Sequence, residues 1–377
     1  MQTVFCRGTA ADLPAIIDFG NYVFSHAGDA TDFPSLIPKL YGPGSDSGPY
    51  HYLLKEEGLI RAMACVQPLN LRVAGEPLQA ACIGTVSVHP YARGRGYMKA
   101  LMTRVTADLK AQGTAFACLG GQRQRYEYYG FTPTGVQTAF HLTAANLRHR
   151  YGSAGDWVTF WPLESPEDPL VREAFSLYEA QPVAGARTPE TFCAVCSTWN
   201  MQPLAVQIDG AFAGYVCARG ETVQELRLRR AADLPAVCAA LMRREGVEAL
   251  RVTLPLWERE AIAWFADVAE YGQTAPNSQF LLLDFPTVTR AFMRCRAALP
   301  PLADGRLVLD IAGTCRIKLT VQAGIPAVEE TAEPPDVSLP PFEAARLLFS
   351  PLGGMPGLPV PPGWFPLPLY VPGLDAC

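Results

Sequence analysis

The residues with the clearest chemical use are Arg93-Gly94-Arg95-Gly96, followed directly by Tyr97, Met98 and Lys99 at the start of an amphipathic stretch. Glycines ahead of a helix let main-chain N–H groups point outward unhindered, and the helix dipole adds partial positive charge where those groups converge. Two guanidinium groups beside such a turn supply full charges, so the pattern suits a pyrophosphate. Further along, Tyr126-Glu127-Tyr128-Tyr129-Gly130-Phe131 sets three tyrosines within four residues. Two plainer readings compete: a βα connection with solvated arginines, and tyrosines that serve only in packing.

The flanking elements decide between them. Cys82 to Val88 is short, apolar and β-branched, which reads as a strand. After the turn, Met98, Leu101, Met102, Val105 and Leu109 fall three or four apart, while Lys99, Arg104, Asp108 and Lys110 face out, and Gly113 ends the helix. Strand, turn, helix, strand and tyrosine element thus appear in order between Ala81 and Phe131, the context that a phosphate-binding turn requires.

Preceded by Val86-Ser87-Val88, the turn resembles the Arg/Gln-x-x-Gly-x-Gly/Ala motif of GCN5-related N-acetyltransferases (GNAT). The Tyr126–Phe131 segment resembles that family's Tyr-x-x-x-Gly-Phe element. The last small residue of the turn is Met98 here. A larger residue is usual in the Eis-type (Enhanced intracellular survival) branch, whose members are similar to this chain in length and in having three domains. The resemblance implies an α/β (α+β) fold: tandem GNAT folds, each a mixed, mostly antiparallel sheet with flanking helices, then a C-terminal sterol-carrier-protein-like α+β domain. The expected division is 1–150, catalytic; 151–285, a degenerate second copy; and 286–377, the C-terminal domain with its tail reaching the active site.

It also implies acetyl-CoA as co-substrate and no metal. The cofactor-binding positions are Val86, Ser87, Val88, Arg93, Gly94, Arg95, Gly96, Tyr97, Met98, Lys99, Gly121 and Gln122. Tyr126 would protonate the departing thiolate. The base in this branch is the terminal carboxylate, here that of Cys377, with Asp375 adding negative charge; the usual last residue is bulky and apolar, whereas Cys377 is small. His26 and Asp29, after the first helix, would contact the acceptor. That acceptor would be a primary amine: an aminoglycoside, a polyamine or a lysine side chain. A homo-oligomer is expected, since the branch tends towards hexamers.

Composition bounds the alternatives. The chain has 377 residues, 49% of them hydrophobic, yet no apolar run approaches the roughly 20 residues that cross a bilayer. Its N-terminus lacks the features of a signal peptide, so a cytoplasmic protein without a membrane partner is expected. A net charge of −5 argues against nucleic acid and for amines. The eleven cysteines are odd in number and scattered, as at Cys82, Cys118 and Cys217, and read as reduced core thiols. Cys193-Ala194-Val195-Cys196 has no second pair or nearby histidine and reads as a buried helix.

Around this centre, Ile16, Ile17, Tyr22 and Val23 continue a first helix, Ala27 to Pro49 reads as loop, and Val136 to Leu142 is the strand expected to close the first domain. Asp209-Gly210 between two alternating runs signals a hairpin. Strand Val223–Leu228, helix Leu234–Arg244 and strand Ala249–Leu254 then repeat the first domain's order. Between them, Arg229 to Pro235 has no glycine and carries Asp233, so this half is expected not to hold the cofactor. The Pro-rich tail from Gly353 carries Met355, Leu358, Trp364, Phe365, Leu367, Leu369 and Tyr370, too apolar for disorder, and should pack on the body. The rival function is a lipid- or acyl-CoA-binding protein with a vestigial acetyltransferase half.

Overall fold

The computed structural model describes residues 3–152, 155–299, 302–354 and 357–377; Met355 lies outside them. Its strands form three sheets. In the first, Thr3–Arg7, His51–Glu56, Leu59–Val73 and Glu76–Val88 make an antiparallel meander, and Phe116–Leu119 runs parallel to Glu76–Val88. Successive side chains of a strand point to opposite faces, and the sequence uses both. Leu53, Met63 and Cys65 pack with Ile16, Phe19 and Val23 of helix Leu13–Ala27. Tyr52, Leu54, Ala62, Ala64 and Val66 pack with Leu101, Met102, Val105 and Leu109 of helix Tyr97–Ala111 on the other face.

The second sheet contains the anticipated hairpin, Gln202–Ile208 with Ala211–Arg219, and its turn takes left-handed φ at Asp209 (51°) and Gly210 (77°). Two strands change places between these sheets. Gln137–Thr143, the strand expected to close the first domain, pairs with Ala249–Leu254 in the second sheet. In return Ser278–Leu282 enters the first sheet between Phe116–Leu119 and Thr132–Thr134. An isolated strand advertises its alternation but not its partner, so the exchange has no local signature.

The third sheet, Ile325–Glu330, Cys315–Gln322, Gly305–Ile311 and Val337–Leu339, packs with helices Phe285–Ala297 and Pro341–Phe349. Its core continues into the first sheet through Leu69, Leu71, Leu78 and Phe116, and Trp364, Leu367 and Leu369 of the tail are part of the same cluster. The tail is packed as its composition requires. The Ala27–Pro49 segment is less loop-like than expected, because prolines start two short helices, Phe33–Leu36 and Pro38–Tyr41, which bury Phe33, Leu40 and Tyr41. Helices of four residues show no periodicity that a sequence could reveal. Among the described residues, no helix is long and apolar enough to cross a membrane.

Candidate active site

Strands Glu76–Val88 and Phe116–Leu119 pair at Ala80–Phe116, Ala81–Ala117 and Cys82–Cys118, and no further. Beyond Cys82 they part. A register shift against Leu59–Val73 and a left-handed Thr85 (φ 45°) mark the bend, and among the described residues no strand lies beside that edge from Gly84 to Val88. Such an edge can accept an extended, amide-bearing ligand as an added strand. Val86 and Val88 are half-buried there, while Ser87 is buried and donates its hydroxyl proton to the Thr85 carbonyl at 3.1 Å.

At the head of the gap, Gly94 and Gly96 adopt φ of 79° and 78°, and Gly96 begins helix Tyr97–Ala111 without any capping side chain. A Cβ at either glycine would meet no atom within 4 Å, so the first-turn N–H groups open onto free space. Arg93 is exposed and forms no ion pair among the described residues. Arg95 behaves differently from expectation: its Nη1 lies 3.1 Å from Oε1 of Glu56, whose carboxylate also accepts the Tyr97 hydroxyl. The Tyr97 hydrogen bond, then the charges of Arg95 and Arg61, overcome burial and hold Glu56 below the usual carboxylate range. Arg95 and Tyr97 therefore brace the turn from behind, leaving Arg93 as its outward charge. Met98 packs on the helix core, and Lys99 sits 5.6 Å from the Tyr128 ring.

The other lip of the gap is Gly121, Gln122 and Tyr126. Tyr126 is 9% exposed and its hydroxyl has no hydrogen-bond partner among the described residues. Burial raises its pKa, with Arg125 opposing. Gly121 (φ 149°) has to be glycine, since a Cβ would come within 2.6 Å of the Tyr126 ring. Gln122 is exposed ahead of the short helix Arg123–Tyr126. The exchanged strand fastens this lip: Gln279 Nε2 donates to the Gly121 carbonyl at 2.7 Å and Ser278 Oγ to that of Leu119 at 2.9 Å. Gln279→Ala is expected to raise KM for the acyl-CoA that the resemblance implies about fivefold, the effect of one lost hydrogen bond, with a smaller change in kcat. Steady-state kinetics at saturating amine checks this.

Cys377 ends the chain against the first lip. A Cβ built on Gly84 would lie 2.6 Å from Cys377 Sγ and 2.9 Å from its carboxyl carbon, so only glycine leaves room for the terminus. Cys377 N–H donates to Cys82 Sγ at 3.2 Å. Lys39 Nζ donates to the carbonyls of Leu374 (2.6 Å) and Ala376 (2.7 Å), and Gln67 Nε2 to that of Asp375 (3.2 Å). Burial pulls the Lys39 pKa down against the opposing charges of Asp375 and Cys377.

Asp375 does not face an acceptor. It is 6% exposed and chelated by Arg187, with Nε–Oδ1 at 3.0 Å and Nη2–Oδ2 at 2.7 Å, and it accepts the Tyr178 hydroxyl at 3.1 Å. The same guanidinium grips Glu225 of the second half. The expected substrate contact is thus a buried anchor, because a fully paired carboxylate has nothing left to offer an amine. His26, in the last turn of helix Leu13–Ala27, and Asp29, just beyond it, are exposed. His26 stacks on Tyr22 at 6.1 Å, and Tyr22 reaches His89 at 5.4 Å. Among the described residues, no hydrogen bond ties either residue to Tyr126 or Cys377. Sequence reasoning missed Lys39, Gly84, Arg187 and Gln279, whose roles arise only from residues distant in the chain.

The second half shows a similar split, since Thr222–Leu228 and Ala249–Leu254 pair only at Thr222–Arg251 and Val223–Val252. Here Glu225 and Arg187 lie buried, and Leu374 of the tail packs with Tyr215 and Cys217. Cys196, Cys217 and Glu225 bring three ligand-type atoms within 4.8 Å of one another. Arg187 and Tyr215 already occupy that carboxylate, so the set is an ion-pair network in composition.

The acetyltransferase (GNAT) domain family matches residues 6–134, which span the meander, the split, the turn and the tyrosine lip. Residues 6–134 are thus similar to a GNAT acetyltransferase domain. Solved GNAT-type structures share its fold over nearly the whole length. The GCN5-related N-acetyltransferase of Kribbella flavida is similar at 18% identity with a TM-score of 0.61, covering 91% of this chain and 88% of that one. That of Anabaena variabilis ATCC 29413 is similar at 12% identity and TM-score 0.62, covering 91% and 89%. Eis1 of Mycobacterium abscessus is similar at 15% identity and TM-score 0.59, covering 92% and 88%. None of the curated proteins matches the chain in sequence. GNAT domains use an acyl-CoA, and the open, glycine-lined turn ahead of helix Tyr97–Ala111 has the form of a site for the diphosphate of such a substrate.

Proposed function

We propose that this GNAT enzyme transfers the acetyl group of acetyl-CoA to a primary amine by direct attack in a ternary complex, with an aminoglycoside, polyamine or lysine side chain as acceptor. The observation that carries the reading is the split itself, which has a buried phenol on one lip and the chain's terminal carboxylate on the other. Arg93 and the N–H groups of Gly96 to Lys99 grip the diphosphate, and the free edge from Gly84 to Val88 pairs with the pantetheine amides. The C-terminal unit, expected to be sterol-carrier-like, acts as the arm that delivers the tail.

An amine of pKa about 10.4 costs roughly 4 to 5 kcal/mol to deprotonate at pH 7, and its proton becomes far more acidic as the C–N bond forms. The Cys377 carboxylate accepts that proton. Tyr126 stays protonated because burial raises its pKa. It donates a hydrogen bond to the leaving sulfur, and full transfer to a thiol of pKa about 8.5 is uphill by roughly 2 kcal/mol, so the phenol mainly stabilises developing charge.

Release of free CoA thiol from acetyl-CoA across an amine panel tests the function; a chain that binds coenzyme A but acetylates none of the amines would refute it. Tyr126→Phe is expected to lower kcat by about 10²-fold with KM for acetyl-CoA within about threefold. An unchanged kcat removes the phenol from the mechanism.

A further inference from the structure

The chain's terminal carboxylate has no cation of its own. Among the described residues its hydrogen bond comes from Cys82 Sγ at 3.7 Å, a weak thiol donor, and no ion pair engages it. That suits a base, because a guanidinium or ammonium placed directly on it would favour the charged form and blunt its uptake of a proton. Its position must then be set by the chain that precedes it.

There each main-chain carbonyl from Gly373 to Ala376 is taken. Gly373 accepts from Trp199 Nε1 at 3.2 Å and Asp375 from Gln67 Nε2 at 3.2 Å, while Leu374 and Ala376 both accept from Lys39 Nζ, at 2.6 and 2.7 Å. The N–H groups of Asp375 and Ala376 donate back to the Pro372 carbonyl, so the chain ends in a tight turn. Of these clamps Lys39 holds two carbonyls, one of them immediately ahead of Cys377, and does so with a charged donor, whose hydrogen bonds are the stronger kind.

Lys39 sits on a fixed mount. Helix Pro38–Tyr41 is only four residues long, yet Ile37, Leu40 and Tyr41 are buried around the lysine. The Tyr41 hydroxyl lies 3.0 Å from His51 Nε2, whose Nδ1 is tied to the Ser47 carbonyl, and 3.0 Å from Thr85 Oγ1. Thr85 follows Gly84 and is held in left-handed backbone (φ 45°), which a β-branched residue keeps only where its surroundings enforce it. One short helix thus grips both partners of the close contact at Gly84: the tail through Lys39 and the strand through Tyr41.

We propose that helix Pro38–Tyr41 is the positioning element of the active site, with Lys39 fixing the terminal carboxylate and Tyr41 fixing the strand edge on which it rests. Both are positioning residues, each acting through the backbone it holds. Their catalytic weight rests on the proposed role of the Cys377 carboxylate as base.

The test compares Lys39→Met, Tyr41→Phe and Gly84→Ala in the full-length protein, by steady-state acetyl transfer and by hydrogen exchange of the tail peptide. Lys39→Met should lower kcat about tenfold with KM for acetyl-CoA within about twofold, the mark of a misplaced group and not of lost cofactor binding. Lys39→Arg, which keeps the charge and the donors, should recover most of that loss. The amides of residues 374–377 should exchange faster in Lys39→Met while those of helix Tyr97–Ala111 stay as in wild type. Tyr41→Phe should lower kcat about fivefold, the effect of one lost hydrogen bond, without freeing the tail. Combined with Gly84→Ala, which lifts the terminus, neither substitution should cost more than the glycine change alone, because all three act through one placement. Additive losses, unchanged tail exchange in Lys39→Met, or a freed tail with wild-type kcat overturns the proposal. A loss in Gly84→Ala beside wild-type rates in Lys39→Met and Tyr41→Phe overturns it alone, whereas wild-type turnover in Gly84→Ala removes the carboxylate base and the proposal together. Should Lys39→Met fail to fold, Tyr41→Phe, which deletes a single hydroxyl, decides by the same cycle.

Discussion

Gly84→Ala should reduce kcat/KM by about 10²-fold, roughly 2.7 kcal/mol of transition-state stabilisation, while the protein remains folded. The strand backbone at Gly84 is not in the left-handed region, so alanine fits it locally. What alanine cannot accommodate is the chain end. Its methyl would press within 2.6 Å of Cys377 Sγ and 2.9 Å of the carboxyl carbon, and the second of these is main chain that has no rotamer to escape into. The terminus must lift away, and the carboxylate lifts with it. Cys377→Gly provides the complement, deleting the thiol but retaining the carboxylate, and is expected to keep most of the activity. Initial rates by CoA release, alongside melting curves, check both variants. Wild-type turnover in Gly84→Ala would rule out the terminal carboxylate as base.

The second large effect is on stability. Asp375→Ala is expected to destabilise the fold by about 3 kcal/mol, because truncating one member of a buried ion-pair set leaves the others undercompensated. Arg187 keeps Glu225 but loses two charge-assisted bonds, and Lys39 loses its main counter-charge. The pH dependence follows from the direction of the shift. Burial alone would raise the Asp375 pKa; the charge and hydrogen bonds of Arg187, then Lys39 and Tyr178, outweigh it and hold the carboxyl below the ordinary value. A depressed carboxylate contributes stability that is complete above the unfolded-state pKa of about 3.9 and is lost as pH falls through the folded value. Denaturant unfolding should therefore show wild type losing its advantage over Asp375→Ala below about pH 4, with the difference constant from pH 5 to 7. A difference that persists unchanged into acid would mean that Asp375 is not ionised in the native state.

The parts legible in the sequence share one property: each is encoded within a few neighbouring residues. The glycine turn needs left-handed backbone at Gly94 and Gly96, helix Tyr97–Ala111 needs its apolar stripe, and the Asp209-Gly210 hairpin needs positive φ. Each requirement selects residue types on the spot, and the structure meets all of them. Arg95 shows the limit of such reading, for an arginine in a phosphate turn looks the same whether it faces a ligand or, as here, Glu56.

What tertiary structure alone decided are the partnerships over long separations. Ser278–Leu282 and Gln137–Thr143 each carry the alternation of a strand, but alternation is satisfied equally well in either sheet, and only the assembled edges select the partner. The tail's apolar content shows that it is buried but not where. Its destination is set by shape and charge contributed from far away: the missing side chain at Gly84, the Arg187 guanidinium at Asp375, and the thiol of Cys82, whose contact with Cys377 spans 295 positions. Local propensity acts over a turn of chain, whereas packing complementarity exists only once the chain has folded.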